Sequence, residues 1–574
     1  MENIQQINAQ IFPLKNIKPG KISVYTFLFL WFLFFVLPSS SGANKEIFVA
    51  PDGGGDGSSA GSPTTFQLAL DNAHLDADTI FIYLLEGIYD AGSSPFNYSL
   101  AVDESRILRI RGGVTSDGSF TDTPDHTVLD GKGTSQILKL RADAGNSVLK
   151  TYVSHLSFKN GFAADDGNAS TIDHGAAIMA YEGNADSHGA MDLYISDCHF
   201  EHNKTTGNIN GGAIYSNVTF RISHCSFINN EASNGGAIIA YTGPDGDQSR
   251  VCSIEKTYFQ ENKNYGNQGS TIWHNITLEI RDCTFTGMAD GSQVGNGSCV
   301  WGNMGSTHKI SRCLFKDIIV KYWGSAIQSF GGNAYIDNCI FENNKAGEEV
   351  GTGDGYGTIA FYHENQPSTI KRITNCTFVG NRSRYPASSW GGAIHNRGIS
   401  GDDFIIANCI FYDNGMYPVY SSLISTIVKY SYFSDPYINL TDGGGNIAGN
   451  PLFADEFYHL QETSPCVNSG TNDAEPDMER DFDYNRRILS GTIDMGAYEI
   501  NHPPDSITLS DNTLAENSGA GATVGTLTAK DPDEEDMEDL EFALIEGDGV
   551  NDACLLYTSP SPRDRTRSRM PSSA

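Results

Sequence analysis

The sequence predicts an all-β chain, a right-handed parallel β-helix solenoid followed by part of a β-sandwich, and three observations carry that reading. A tripeptide recurs through the middle of the chain: Cys198-His-Phe200, Cys225-Ser-Phe227, Cys283-Thr-Phe285, Cys313-Leu-Phe315, Cys339-Ile-Phe341, Cys376-Thr-Phe378 and Cys409-Ile-Phe411. Leu156-Ser-Phe158, Thr257-Tyr-Phe259 and Ser431-Tyr-Phe433 are cysteine-less copies. A Gly-rich step recurs with it, in Gly175-Ala-Ala-Ile178, Gly211-Gly-Ala-Ile214, Gly235-Gly-Ala-Ile238, Gly269-Ser-Thr-Ile272, Gly324-Ser-Ala-Ile327 and Gly391-Gly-Ala-Ile394. Composition is the third: 574 residues exceed one compact globule, and 61 Gly with only 19% charged residues disfavour long helices.

Residues at Cys and at Phe two places on point to the same face of a strand. An Asn three places beyond the Phe (Asn203, Asn230, Asn262, Asn344, Asn381, Asn414) tolerates a left-handed turn, and the Gly allows a sharp or crowded one. Each repeat then forms one coil. Coils stacked about 4.8 Å apart as parallel strands set Cys on Cys, Phe on Phe and Ile on Ile, burying a continuous core that no single coil could bury. Successive phenylalanines lie 22 to 42 residues apart, so loops of unequal length leave the coils where they turn, and binding is expected there.

Charge narrows the partners. Against 37 Lys and Arg stand 70 Asp and Glu, a formal balance of −33 that repels nucleic acid and anionic membrane and attracts divalent cations. The two ends differ from the rest. Residues 1–43 have a basic stretch (Lys15, Lys18, Lys21), an apolar run from Ile22 to Leu37 and small residues before Ala43. That is the outline of a secretory signal peptide, the run falling short of the roughly 20 residues that span a bilayer. Residues 554–574 share no pattern with what precedes them and resemble the read-through translation of a sequencing-library adapter, so they are set apart from the fold.

Gly-Gly-Ala-Ile with Cys-x-Phe-x-x-Asn resembles the polymorphic outer-membrane protein repeat of pectin-lyase-like β-helices, over Leu156 to Phe433. The resemblance implies the fold and a surface location, but not an activity, because this scaffold hosts lyases, hydrolases, adhesins and autotransporter passengers. Residues 44–155 resemble the start of such helices. There Phe66-Gln-Leu-Ala-Leu-Asp71 is a short amphipathic helix expected to plug the open first coil.

Seven of the cysteines before residue 554 occupy the inward repeat position, the others being Cys252, Cys299 and Cys466. Their side chains run parallel in a ladder, so buried free thiols are expected rather than disulfides or zinc ligands. A catalytic reading needs carboxylates, or a carboxylate and a base, converging in a groove. His363-Glu364, Asp402-Asp403 and Asp165-Asp166-Gly167 read as solvated loop tips and His174 as structural, so no catalytic residue is assigned.

Residues 434–500 carry Gly449-Asn-Pro-Leu-Phe453, Ser464-Pro-Cys466-Val-Asn-Ser-Gly470, Asp481-Phe-Asp-Tyr-Asn-Arg486-Arg487 and Gly491-Thr-Ile-Asp-Met-Gly-Ala-Tyr-Glu499. The series resembles the choice-of-anchor Q end module of bacterial surface proteins. It is expected to close the last coil, with Arg486 and Arg487 ion-paired in a loop among Asp477, Glu479, Asp481 and Asp483. Residues 501–553, with Leu514-Ala-Glu516-Asn517 and Lys530-Asp531-Pro-Asp533, resemble the first half of a cadherin-like sandwich. That resemblance implies calcium held by Glu516, Asp531 and Asp533, with Asp536 a weaker addition.

The expectation is an exported cell-surface or outer-membrane protein, its β-helical stalk and calcium-binding module serving adhesion or surface recognition. Its partner is a surface carbohydrate or surface protein, and membrane is met only through a signal or an anchor. The rival is a polysaccharide lyase or hydrolase working on an acidic chain in a groove of the helix.

Overall fold

The computed structural model describes residues 44–502 except 75–77, 144, 165–173, 184–188, 243–245, 267–269, 288–296, 323, 348–355, 363–368, 384–390, 399–400, 416, 423–424, 436–439, 474–478 and 490, together with 506–510, 526–530, 541–546 and 554–559. The expected signal segment lies outside these.

Three long sheets run along the repeat region, with fourteen, thirteen and eleven strands among the described residues, and every neighbouring pair in them is parallel. Away from the two ends of the solenoid, each coil gives one strand to each. The coil around Cys198 contributes Ala190–Ser196 to the fourteen-strand sheet, His199–Glu201 to the thirteen-strand sheet and Ile214–Ser216 to the eleven-strand sheet. Sheet neighbours are successive coils, which is the topology of a parallel β-helix, and crossovers of this kind are right-handed in nearly all proteins.

Like residues do lie over one another. The rings from Phe158 to Phe433 stack with centroids 4.6 to 5.1 Å apart and planes within 8°. All ten cysteines from Cys198 to Cys466 are free and buried, as the ladder argument expects. Cys313 Sγ donates to the carbonyls of Ser311 and Ile280 at 3.2 and 3.7 Å. Burial pushes the Cys252 and Cys299 thiols up to about 12, so these groups behave as small apolar side chains.

The recurring Asn does a different job from the one its turn propensity suggests. The left-handed residue is the one before it: His202, Asn229, Glu261, Asn343 and Asp413 have φ between 53° and 56°. The Asn itself points inward. Asn230 donates to Asn262 Oδ1 at 2.9 Å and to the Phe200 carbonyl at 2.9 Å, Asn344 and Asn381 repeat the pattern, and Asn414 ends the row by donating to the Phe378 and Tyr412 carbonyls. Side-chain amides thus satisfy backbone groups that the turn removes from the sheet ladders. At the Gly-rich step, Gly235 has φ +64°, and a Cβ there would come within 2.4 Å of the Ile238 carbonyl oxygen.

The helix Phe66–Asp71 caps the first coil as expected, burying Phe66, Ala69 and Leu70 against the core. The module from Asn450 to Ile500 departs from expectation. Rather than only closing the last coil, it lies back along the flank of the solenoid. Asn338 Nδ2 donates to the Arg480 carbonyl, Asn408 Nδ2 to the Thr471 carbonyl, and the Ala497 N–H to Thr377 Oγ1, at 3.0, 3.0 and 2.9 Å. Arg487 is ion-paired as expected, but in the buried interior of the module and with Glu499, at 3.9 Å. It is 2% exposed and also donates to the Asp494 and Gly496 carbonyls, which the irregular backbone leaves outside any sheet ladder. Beyond residue 502 the described residues form two antiparallel ladders, Ser506–Leu509 with Leu527–Lys530 and Glu541–Glu546 with Cys554–Ser559.

Candidate functional site: a groove on the outer face of the long sheet

Strand alternation sends every second side chain of the fourteen-strand sheet to solvent, and strict register lines those side chains into rows. One outward row reads Phe81, Arg109, Tyr152, Tyr194, Arg221, Ser253, Glu279 and Lys309 along the axis. The row beside it reads Tyr83, Arg111, Ser154, Ser196, Ser223, Glu255 and Arg281. Between them runs a groove of about 660 Å³, which shares Arg109, Tyr152 and Ser154 with a second hollow of about 380 Å³ around Phe81, Tyr83, Arg111 and Phe120.

The groove is aromatic and cationic toward the amino-terminal end. Tyr152 and Tyr194 stack at 4.6 Å with planes 8° apart. The Arg109 guanidinium lies 4.1 Å from the Tyr152 ring centre, and Arg221 lies 6.0 Å from that of Tyr194. Arg111 lies 5.0 Å from the Phe120 ring, and Phe120 meets Tyr83 edge-on at 5.2 Å. Arg111 has Asp122 at 3.5 Å, whereas neither Arg109 nor Arg221 has an ion-pair partner among the described residues. In a chain with a formal charge of −33 that is a pointed exception. The opposite end is neutralised: Arg281 bonds Glu279 at 2.7 Å and reaches Glu255 at 3.8 Å, and Lys309 bonds Glu279 at 3.2 Å.

Rings flanked by guanidinium groups suit the apolar face of a sugar, and a free guanidinium fork suits a carboxylate or sulfate. None of these groove residues is singled out by sequence reasoning. A signal is available, because with the repeats aligned on Cys the groove row sits four residues earlier, in Tyr152, Tyr194, Arg221 and Glu279.

The expected calcium ligands Glu516, Asp531 and Asp533, and Asp536 with them, lie outside the described residues, as do His363-Glu364 and Asp165-Asp166-Gly167. Among the described residues no group of three or more His, Cys, Asp or Glu is arranged to hold a metal. His174 is structural as expected: its Nδ1 accepts from the Asn210 N–H at 3.0 Å and its ring stacks on Tyr215. Asp402 is not a solvated loop tip. It is 6% exposed and bonded to Lys371, while Asp403 beside it stays exposed and pairs with Arg372.

The register and the stacked rings define the class of protein, a parallel β-helix. Within it, residues 375–397 match the Chlamydia polymorphic membrane protein repeat. That span holds one Cys-x-Phe strand and the following Gly-Gly-Ala-Ile step, two motifs that recur along this solenoid. Similar solved structures include pectate lyase Pel9A, at 15% identity, covering 80% of this chain and 98% of that one, with a TM-score of 0.32. A mannuronic acid specific polysaccharide family 6 lyase from human gut microbiota is similar at 13% identity, covering 71% and 83%, with a TM-score of 0.29. The tailspike protein of E. coli bacteriophage HK620, in complex with a pentasaccharide, is similar at 13% identity, covering 70% and 78%, with a TM-score of 0.20. A comparison with curated protein sequences finds no match.

Proposed function

We propose that this chain is an exported surface protein whose β-helix is a stalk for adhesion or recognition, and that the groove on its long sheet holds a surface carbohydrate carrying negative charge. One observation carries the reading: Arg109 and Arg221 bracket the stacked Tyr152 and Tyr194 with no carboxylate partner among the described residues of a strongly acidic chain. The outer-membrane or cell-surface setting is supported by the polymorphic membrane protein repeat at residues 375–397. Calcium at Glu516, Asp531 and Asp533 belongs to the same reading through sequence resemblance alone, as a second adhesive element.

The alternative, a lyase or hydrolase acting on an acidic polysaccharide, has one observation in its favour: Glu255 and Glu279 line the same groove. Both lean on Arg281, and Glu279 also on Lys309, so they act first as partners for cations. Affinity electrophoresis of the full chain through gels containing neutral, uronate and sulfated polysaccharides tests the reading. Retardation by an acidic polysaccharide that is lost in Arg109→Ala/Arg221→Ala and kept in Glu279→Gln supports it; equal mobility in all gels overturns it. Release of unsaturated or reducing ends, lost in Glu279→Gln, would favour the enzyme.

A further inference from the structure

Inside the carboxy-terminal coils of the solenoid an amine and a carboxyl are held together away from water. Lys371 occupies an inward position of the fourteen-strand sheet, between Ala334 and Phe404 of the adjoining coils, and is 2% exposed. Asp402 precedes the strand of the next coil. Lys371 Nζ lies 2.5 Å from Asp402 Oδ2 and 5.5 Å from the centre of the Phe361 ring. The other carboxyl oxygen, Oδ1, accepts two hydrogen bonds from Thr369, one from its backbone N–H at 2.9 Å and one from its hydroxyl at 3.0 Å. Nothing in the groove or the repeat requires such a pair, and the neighbouring coils fill the Lys371 position with Ala334 and Phe404.

We propose that Lys371 and Asp402 condense into an isopeptide bond, making this pair a self-modification site that joins two successive coils covalently. Burial lowers the Lys371 pKa and so favours its neutral amine, with the hydrogen bond and charge of Asp402 opposing. Burial works the other way on Asp402, but the hydrogen bonds from Lys371 and Thr369 and the lysine charge prevail and lower its pKa, so the reactive pair is the minor tautomer formed when one proton moves from Nζ to Oδ2. The amine lone pair attacks Cγ, and the negative charge that develops on Oδ1 falls on the two Thr369 donors. The Cγ–Oδ2 bond then breaks, and Oδ2 leaves as water with the proton already received and a second one from Nζ. One C–N bond forms, one C–O bond breaks and one water is released, with no change in oxidation state. In water the equilibrium opposes amide formation, but effective molarities of about 10⁵ to 10⁸ M for well-oriented neighbours offset this, and a dry core keeps water from reversing it.

Peptide mapping of the full chain by mass spectrometry after denaturation tests the proposal, whatever processing the amino terminus undergoes. The expected result is one branched tryptic peptide containing Lys371 and Asp402, lighter than the sum of its parts by one water, about 18 Da, with no cleavage after Lys371. Asp402→Asn should form the same bond with loss of ammonia, about 17 Da. Lys371→Met should give two unlinked peptides, and Thr369→Val should leave a measurable linear fraction in freshly folded protein. Cleavage after Lys371 and a linear Asp402 peptide in folded wild-type chain would overturn the proposal and leave an ordinary buried ion pair. That outcome would not touch carbohydrate binding in the groove, which is read by a different assay.

Discussion

The thirteen-strand sheet has two flanks in one. Its outward residue is the middle one of Cys-x-Phe, and in the first coils it is His199, Ser226, Tyr258 and Thr284, facing water or small polar contacts. From the next coil onward it becomes Leu314, Ile340, Thr377, Ile410 and Tyr432. Here the end module lies on the sheet: Ile410 and Tyr432 pack with Leu460, Cys466 and Met495, and Ile340 packs with Ala497 and Tyr498. The inward residues are the same in both halves. One variable position in an otherwise repeated motif therefore records whether a coil is bare or covered, and the apolar face of a module can be located from the partner it needs.

The interior sets the largest expected effect and should not distinguish the halves. Phe227→Ala and Phe378→Ala each remove a fully buried ring stacked on both sides, so each should cost about 3 to 5 kcal/mol in urea unfolding. A large difference between them would break the claim of one continuous core. The flank should distinguish the halves. Ile410→Ala should cost about 2 to 5 kcal/mol, because its side chain is 1% exposed under the module, and Ser226→Ala should stay within about 0.5 kcal/mol. Limited proteolysis sharpens this: Ile410→Ala should release the segment after Asn450 before the coils are cut.

A smaller effect is expected from the amide ladder, which runs through Asn203, Asn230 and Asn262 on the bare side and Asn344, Asn381 and Asn414 on the covered side. Between the runs, Ile318 takes the position as a buried apolar residue, so the ladder is not obligatory in every coil. Asn230→Ala would leave the Asn203 N–H and the Phe200 carbonyl without their side-chain partner, costing about 1 to 3 kcal/mol. Asn381→Ala should cost the same, since Asn381 makes the equivalent bonds, to the Phe341 carbonyl and Asn414 Oδ1. Thermal melts of the pair check this.

Most of the solenoid is legible in the sequence because identical residues must stack. Period, strand position, inward Cys and Phe, the crowded Gly and the capping helix all follow from repetition. What repetition conceals is anything that varies from coil to coil. The groove is built from non-repeating outward residues, so Tyr152, Tyr194 and Arg221 carry no motif and emerge only once register aligns them. Turn propensity alone also sets the left-handed residue one place too late, at Asn230 rather than Asn229. Asn favours both left-handed turns and buried amide stacks, and only packing decides between them. Asp402 misleads for a related reason: adjacent acids suggest a wet loop, and its buried lysine lies 31 residues earlier in sequence.

The least of the expected effects is a pH dependence confined to the covered half. In the end module His459 sits between Asp455 and Asp483, at 2.6 and 2.8 Å. Burial works against its charge, but these hydrogen bonds and charges prevail and raise its pKa. Asp481, wholly buried in the same module, is pushed up to about 7 by burial, with hydrogen bonds from Glu499 and Asn485 and the charge of Arg487 opposing. Both groups bind protons more tightly folded than unfolded, so each stabilises the docked module at low pH. The contribution of His459 is complete below its unfolded value of about 6.5 and disappears as pH rises through its folded value. That of Asp481 begins to fade above about 4 and is gone once pH passes about 7. Release of the segment after Asn450 by a protease active across the range should therefore quicken from pH 5 to pH 9, while cleavage within the coils from Ala190 to Arg281 stays level. Glu499 of the same module is pushed up to about 9 by burial, with the charge of Arg487 opposing, and carries part of the rise at higher pH. His459→Gln should therefore reduce the part above pH 6.5 without removing it, and a rise of equal size in both regions would show that the module responds with the stalk as one body.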